Sequence, residues 1–302
     1  MPGQSHGNHT HDEVSGGKLL ATVFLNFIIT AAEIIGGLLS NSLALLSDAI
    51  HNLGDTVSVF IAWAAFKISK RKSNERKTFG YRRIQILAAL FNAVTLIAIC
   101  LYLFYEAWLR FQNPEPIKGL LMFIVALIGL LANLVAVLLL HKDKARNINI
   151  KAAYLHLLGD TLSSVAVVIG GILIYFYEMY WIDPLITVLI SAYIIKETYS
   201  VLRETIDILM QAAPKGINVE KLRRHIESID GIENIHHIHL WQLDDKHLHF
   251  DCHLDLKEDL NISRIDEIRV NIEKFLIENF DITHVTIQPE FRSGHGSELF
   301  CH

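Results

Sequence analysis

His51-Asn52-Leu53-Gly54-Asp55-Thr56-Val57-Ser58 and His156-Leu157-Leu158-Gly159-Asp160-Thr161-Leu162-Ser163 are near copies, agreeing at six of eight positions, and each lies inside a long apolar run. In both, a histidine and an aspartate stand four residues apart. On an α-helix that spacing sets the two side chains on one face, roughly 6 Å apart at Cβ. Two such helices side by side supply two imidazoles and two carboxylates, a nitrogen and oxygen set suited to tetrahedral Zn²⁺ or a similar divalent metal. A lone helical His is ordinarily a hydrogen-bonded core residue, and a lone Asp ordinarily pairs with Lys or Arg. The middles of these two helices hold neither Lys nor Arg. Two ionised carboxylates in hydrocarbon would each cost several kcal/mol unless compensated, and one dication compensates both.

The chain that carries this repeat has 302 residues, 51% of them hydrophobic, and a mean hydropathy of +0.33. That is too apolar for an ordinary soluble protein and points to a membrane protein. Residues 1 to 210 hold 17 Lys and Arg against 15 Asp and Glu, and residues 211 to 302 hold 10 against 17, so the two parts read as different domains. Cys100, Cys252 and Cys301 are widely spaced, which excludes a disulfide framework and a thiolate zinc site and fits a reduced cytosolic setting for the tail. No Ser-His or Cys-His nucleophile is identifiable, and a di-iron oxidase would need more clustered ligands than two intramembrane histidines, so no enzyme is expected. No nucleic-acid partner is expected either.

Six apolar segments, at about 18–39, 43–67, 83–110, 117–140, 149–177 and 181–203, are each long enough to cross a hydrocarbon core of about 30 Å. Segment one reads as a transmembrane helix rather than a signal peptide, because no small-residue cleavage pattern follows it. Lys67, Lys70, Arg71, Lys72, Arg76, Lys77, Arg82 and Arg83 stand around the loop between segments two and three, and Lys142, Lys144, Arg146 and Lys151 around that between four and five. Loops on the other side carry only Arg110 and Lys118. The positive-inside rule then places both termini in the cytoplasm of a multi-pass plasma-membrane protein. Segments two and five run in opposite directions, an inverted repeat of the kind expected in an alternating-access transporter. Antiparallel packing also carries each histidine towards the other helix's aspartate.

Other polar groups in the apolar part have structural readings beside functional ones. Asp48, three residues before His51, reads as a helix-pairing residue, with an access-path carboxylate as the alternative, and Asn52 is a further accessory candidate. Asn26, Glu33 and Ser164 read as packing or access-path groups. Residues 1–17 form an arm expected to be flexible, in which His6, His9 and His11 either collect metal weakly or serve no purpose.

From residue 211 the pattern becomes that of a small α+β domain extending to 291, with 292–302 as a flexible tail. Pro214 and Gly216 mark the junction; helices are expected at 219–229 and 262–279, and strands at 235–243, 247–256 and 283–288. This α-β-β-α-β order suggests two layers, helices on one face of a sheet. In the second strand His247, His249, Asp251, His253 and Asp255 alternate with Leu248, Phe250, Cys252, Leu254 and Leu256, so one face is apolar and the other offers only metal-ligand types. His236, His237 and His239 lie close by on the first strand. A plain solvated face is the alternative.

These stretches carry a resemblance. Residues 42–55 (SLALLSDAIHNLGD), 78–90 (TFGYRRIQILAAL), 156–160 (HLLGD), 236–241 (HHIHLW) and 284–288 (HVTIQ) resemble the cation diffusion facilitators, with the bacterial cobalt-zinc-cadmium resistance branch most similar. The resemblance implies an α-helical membrane protein of six transmembrane helices with a C-terminal α+β ferredoxin-like (metallochaperone-like) cytosolic domain. It further implies a homodimer in a lipid bilayer and proton-coupled export of Zn²⁺ through His51, Asp55, His156 and Asp160, with Cd²⁺, Co²⁺ and Ni²⁺ as lesser cargo. His51, where other branches carry Asp, tilts selectivity towards zinc. In the tail the resemblance covers His236 and His253, and with His237, His249 and His284 these make the candidate cytosolic Zn²⁺ ligands. Relatives with a metal site between helices two and three place His and Asp there, whereas this chain has Asn74, Glu75 and Tyr81. The alternative function is a membrane-anchored zinc sensor or buffer, which the tail alone could serve.

Overall fold

The structure is a computed structural model that describes residues 16–141, 148–244 and 246–292. The arm with His6, His9 and His11, and the tail beyond residue 292, lie outside the described residues. Six helices come first: α1 (Gly16–Ser40), α2 (Leu43–Ser69), α3 (Ile84–Gln112), α4 (Gly119–His141), α5 (Ile148–Tyr177) and α6 (Ile182–Leu209). They follow the six expected segments, except that α6 continues six residues past the expected end. Its last turns carry Arg203, Glu204 and Asp207, so the helix outlasts its apolar stretch.

By length and composition alone, α3, Gly119–Leu138 of α4, Tyr154–Tyr177 of α5 and α6 are apolar enough to span a bilayer, and Phe27–Ser40 of α1 is a shorter apolar stretch. Helix α2 has the length and misses on composition, because Asp48, His51, Asn52 and Asp55 occupy its middle. The outward faces remain apolar, with Phe60, Trp63, Tyr102, Tyr105, Trp108 and Phe176 exposed, as lipid contact requires.

The chain divides into two compact units, Met1–Ile61 with Asn92–Tyr199, and Ala62–Phe91 with Ser200–His302. In the former, Leu45 of α2, Cys100 of α3, Met122 of α4, Val167 of α5 and Ile190 of α6 share one buried cluster. Helices α4 and α5 touch backbone to backbone: a Cβ on Gly171 would lie 2.9 Å from the Phe123 Cα, so only glycine permits this approach. The start of α2 is held by α6. Asp183 accepts hydrogen bonds from Ser42 Oγ at 2.5 Å, the Leu43 N–H at 2.8 Å and the Ala44 N–H at 3.2 Å. These satisfy donors that a helix start otherwise leaves without partners.

The other unit contains α7 (Val219–Glu227), β1 (Ile232–Gln242), β2 (Leu248–Leu256), α8 (Ile262–Phe280) and β3 (Ile282–Glu290), in the expected order. Asn218 and Asn261 cap the two helices, each side chain accepting a backbone N–H. The sheet runs β1-β2-β3, with β1 and β2 antiparallel and β2 and β3 parallel, as an α8 crossover demands. Leu222, Ile226, Ile272 and Leu276 from the helices bury against Ile235, Phe250 and Leu254 of the sheet. Thus the apolar face read from β2 is the core face. In the loop between α2 and α3, Asn74 accepts the N–H groups of Arg76 and Lys77 and donates to the Tyr81 hydroxyl, closing a turn.

Candidate metal centre

Helical periodicity sets the geometry of the first cluster. His51 and Asp55 on α2, like His156 and Asp160 on α5, lie one turn apart with closest approach 3.9 Å. The shorter distances run between the helices. His51 Nε2 is 3.0 Å from Asp160 Oδ1, and His156 Nε2 is 2.9 Å from Asp55 Oδ2. Each histidine therefore meets the other helix's aspartate, as an antiparallel repeat requires. One ligand atom from each of the four lies within 4.8 Å of every other. Four donors around a metal at bond lengths of about 2.0–2.1 Å sit roughly 3.3 Å from one another, so the two crossed edges are already short enough and the others would have to contract to close a tetrahedron. His51 and Asp160 are buried, while Asp55 and His156 are half-exposed.

Two of the accessory candidates, Asp48 and Asn52, hydrogen-bond to other helices. Asp48 accepts from Ser163 Oγ at 2.5 Å and Ser164 Oγ at 3.0 Å, which ties α2 to α5. Asn52 donates to Glu33 Oε2 of α1 at 3.0 Å. Neither belongs to the four-residue group.

The second cluster lies in the sheet. His236 on β1 and His253 on β2 are register partners, with ring centroids 5.3 Å apart. Glu290, at the end of β3, brings Oε1 to 2.8 Å from His253 Nδ1 and Oε2 to 3.7 Å from His236 Nε2. Asp255 Oδ2 is 3.5 Å from the same His236 nitrogen. His236, His253 and Glu290 together form the other possible metal group among the described residues.

The five histidines expected as cytosolic ligands do not converge on one point. His249 pairs with His284 across the parallel ladder, ring centroids 4.8 Å apart. Four residues along a strand separate His249 from His253, about 13 Å, so these are two places. His237 sits at a β-bulge with φ 51° and lays its ring flat on His253, centroids 4.5 Å apart. Glu290 lies two residues beyond the strand expected at 283–288, because β3 runs on to residue 290. Continuing its alternation through His284, Thr286 and Gln288 by one more step reaches Glu290.

Electrostatics separate the histidines further. Burial, with the nearby His284 ring, holds the His249 imidazole below its ordinary value, so it is neutral near pH 7 and able to bind metal. Burial pushes the Cys252 thiol up to about 12, and the side chain packs in the apolar core, away from the histidine face. Burial also acts to raise Asp244, but the Lys246 N–H and the His247 ring outweigh it and hold that carboxyl below the usual range. His247 is thereby committed to Asp244, its Nδ1 2.7 Å from Oδ1.

Comparison with known proteins agrees with this architecture. Residues 19–210 match the family described as the cation efflux transmembrane domain, and residues 214–291 the cation efflux protein, cytoplasmic domain. The chain is 40% identical over 299 residues to a cadmium, cobalt and zinc/H(+)-K(+) antiporter of Bacillus subtilis, covering 97% of this chain and 95% of that protein. It is 41% identical over 291 residues to the zinc transporter ZitB of Pectobacterium atrosepticum, covering 94% and 89%. It is 36% identical over 284 residues to the metal cation efflux system protein CzcD of Cupriavidus metallidurans, covering 93% and 89%. With both domain matches along nearly its whole length and relatives at about 40% identity, the chain belongs to the cation efflux family.

Proposed function

We propose that the protein exports divalent metal cations, Zn²⁺ foremost with Cd²⁺, Co²⁺ and Ni²⁺ as lesser cargo, by antiport against protons. The observation that carries this reading is the interhelical crossing of His51 with Asp160 and His156 with Asp55. Metal binding needs neutral imidazoles and ionised carboxylates, so arriving metal displaces protons and arriving protons displace metal. An inward proton gradient then drives metal outward. The half-exposed pair, Asp55 and His156, lies on the side of α2 and α5 that leads to the basic loops. Under the positive-inside rule that side is cytoplasmic, and the site is open to the compartment from which metal is taken.

The protein is a homodimer in the plasma membrane with both termini in the cytoplasm, divided into a transport domain over 18–210 and a cytosolic domain over 211–291. The three-ligand group of His236, His253 and Glu290 binds Zn²⁺ as a regulatory ion. Its occupancy biases the transport equilibrium through differential affinity for two states of the dimer.

Zn²⁺ flux into liposomes bearing the purified protein, with and without an imposed pH gradient, tests this reading. Gradient-driven flux in the wild type and its loss in Asp160→Ala are expected. Tight Zn²⁺ binding without flux in either protein would replace the exporter by an anchored sensor.

A further inference from the structure

The C-terminal end of α2, the loop to α3 and the sheet domain enclose a cavity of about 690 Å³. All of its lining residues belong to the unit made of Ala62–Phe91 and Ser200–His302. Lys70, Arg71, Lys72 and Arg82 line it from the loop side, and Lys246 from the turn between β1 and β2. A single carboxylate, Asp244, stands among these five cations in the lining. It is already engaged. Asp244 is 4% exposed, accepts the Lys246 and His247 N–H groups at 2.9 Å each, and has the His247 ring at 2.7 Å and Arg82 at 3.9 Å. Among the described residues, the side chains of Arg71, Lys72 and Lys246 form no ion pair.

Charge decides what such a cavity can hold. Five cations against one carboxylate leave an excess of positive charge, which repels a dication and draws an anion. His249 and His284 also line the cavity, but two imidazoles in a field that opposes cation entry make a poor metal site. Ser73 and Thr78 add hydroxyl donors. Guanidinium, ammonium and hydroxyl groups converging on one space match the oxygens and charge of a phosphate.

Position says which phosphate. Trp63 and Phe66, on the last two turns of α2, are exposed, and Lys67 and Lys70 lie over their rings, Nζ at 5.4 and 4.2 Å from the centroids. Aromatic rings at a helix end, with lysines reaching past them, mark the level of lipid headgroups. Under the positive-inside rule this end faces the cytoplasmic leaflet, whose anionic lipids attract basic segments beside a membrane span. Small-molecule sites run from about 300 to 1,000 Å³, so a phosphoglycerol headgroup has room.

We infer that this cavity binds the phosphate of an anionic phospholipid headgroup, held by Arg71, Lys72 and Lys246, and so ties the loop between α2 and α3 to the sheet domain. The inference rests on the exporter reading only for the cytoplasmic placement of the basic loops.

The test uses the full-length protein in neutral detergent, titrated with phosphatidylglycerol or phosphatidylcholine in mixed micelles. Bound lipid is counted by native mass spectrometry, and the unfolding temperature is recorded alongside. Phosphatidylglycerol should bind and raise the unfolding temperature, and phosphatidylcholine at the same concentration should do neither. Arg71→Gln, Lys72→Gln and Lys246→Gln should each weaken phosphatidylglycerol binding about fivefold, and the three together on the order of a hundredfold. A charge-matched control, Lys221→Gln with Lys257→Gln and Lys274→Gln, removes three exposed cations outside the cavity and should keep wild-type binding. Equal losses in the two triple variants overturn the site by reducing it to general charge attraction, and equal binding of the two lipids overturns it too. Inorganic phosphate that displaces the lipid and raises the unfolding temperature as much overturns the lipid and assigns the cavity to a free anion. If the triple variant does not fold, the single variants decide, and unchanged affinity in all three overturns the inference. Binding is read without transport, so lipid bound to a protein that moves no Zn²⁺ keeps this site and overturns the exporter reading alone.

Discussion

Asp160 is the residue on which most of the proposed chemistry turns, because it is buried and reaches the opposite helix's histidine at 3.0 Å. Asp160→Asn keeps the shape and removes the charge. Zn²⁺ affinity should fall by more than the roughly 10–100-fold typical of losing an outer-shell partner, read by titration in detergent. His51→Asp substitutes a hard oxygen for an imidazole nitrogen and should admit harder cations such as Mn²⁺. Unchanged competition by Mn²⁺ and Cd²⁺ against Zn²⁺ flux would contradict that expectation. In the sheet domain, His249 has its imidazole held below the ordinary value. The unfolded chain therefore takes up its proton first as pH falls, so stability drops from about pH 6.5 downward through the folded-state value. Thermal unfolding of His249→Gln should depend less on pH across that window than the wild type.

At the scale of elements, α2 combines a demanding composition with a buried start. Its ligand-bearing middle lowers its hydropathy, and its first turn relies on Asp183 of α6 for hydrogen bonds. Asp183→Ala strands the Leu43 and Ala44 N–H groups and should cost about 1–3 kcal/mol for each left unsatisfied, seen as a lower unfolding temperature in detergent. Periodicity made the helices and strands legible: i, i+4 spacing placed each ligand pair, and strict alternation placed the two faces of β2. Strand ends were not legible, and so Glu290 was missed. Nor was the bulge at His237, because a positive φ at a histidine has no signature in composition.

For the whole molecule, the cytosolic domain is the proposed regulator. Removing residues 211–302 should flatten the dependence of flux on cytosolic Zn²⁺ concentration, with insertion checked by size-exclusion chromatography. An unaltered dependence in an intact, dimeric product would dismiss the regulatory role. The sequence by itself determined the membrane class, the count and order of the helices, the α-β-β-α-β tail and which four residues of α2 and α5 cluster as candidate metal ligands. Hydropathy and periodicity are local, and the repeated motif places its ligands within one turn of helix. Tertiary structure decided everything that depends on which segments meet. It separated His249 and His284 from His236 and His253 by strand register, and brought Glu290 to His253 through parallel pairing. It also set Glu33 against Asn52 and Gly129, contacts that no single helix contains. Contacts across many residues of chain arise from packing, and one-dimensional pattern carries no record of them.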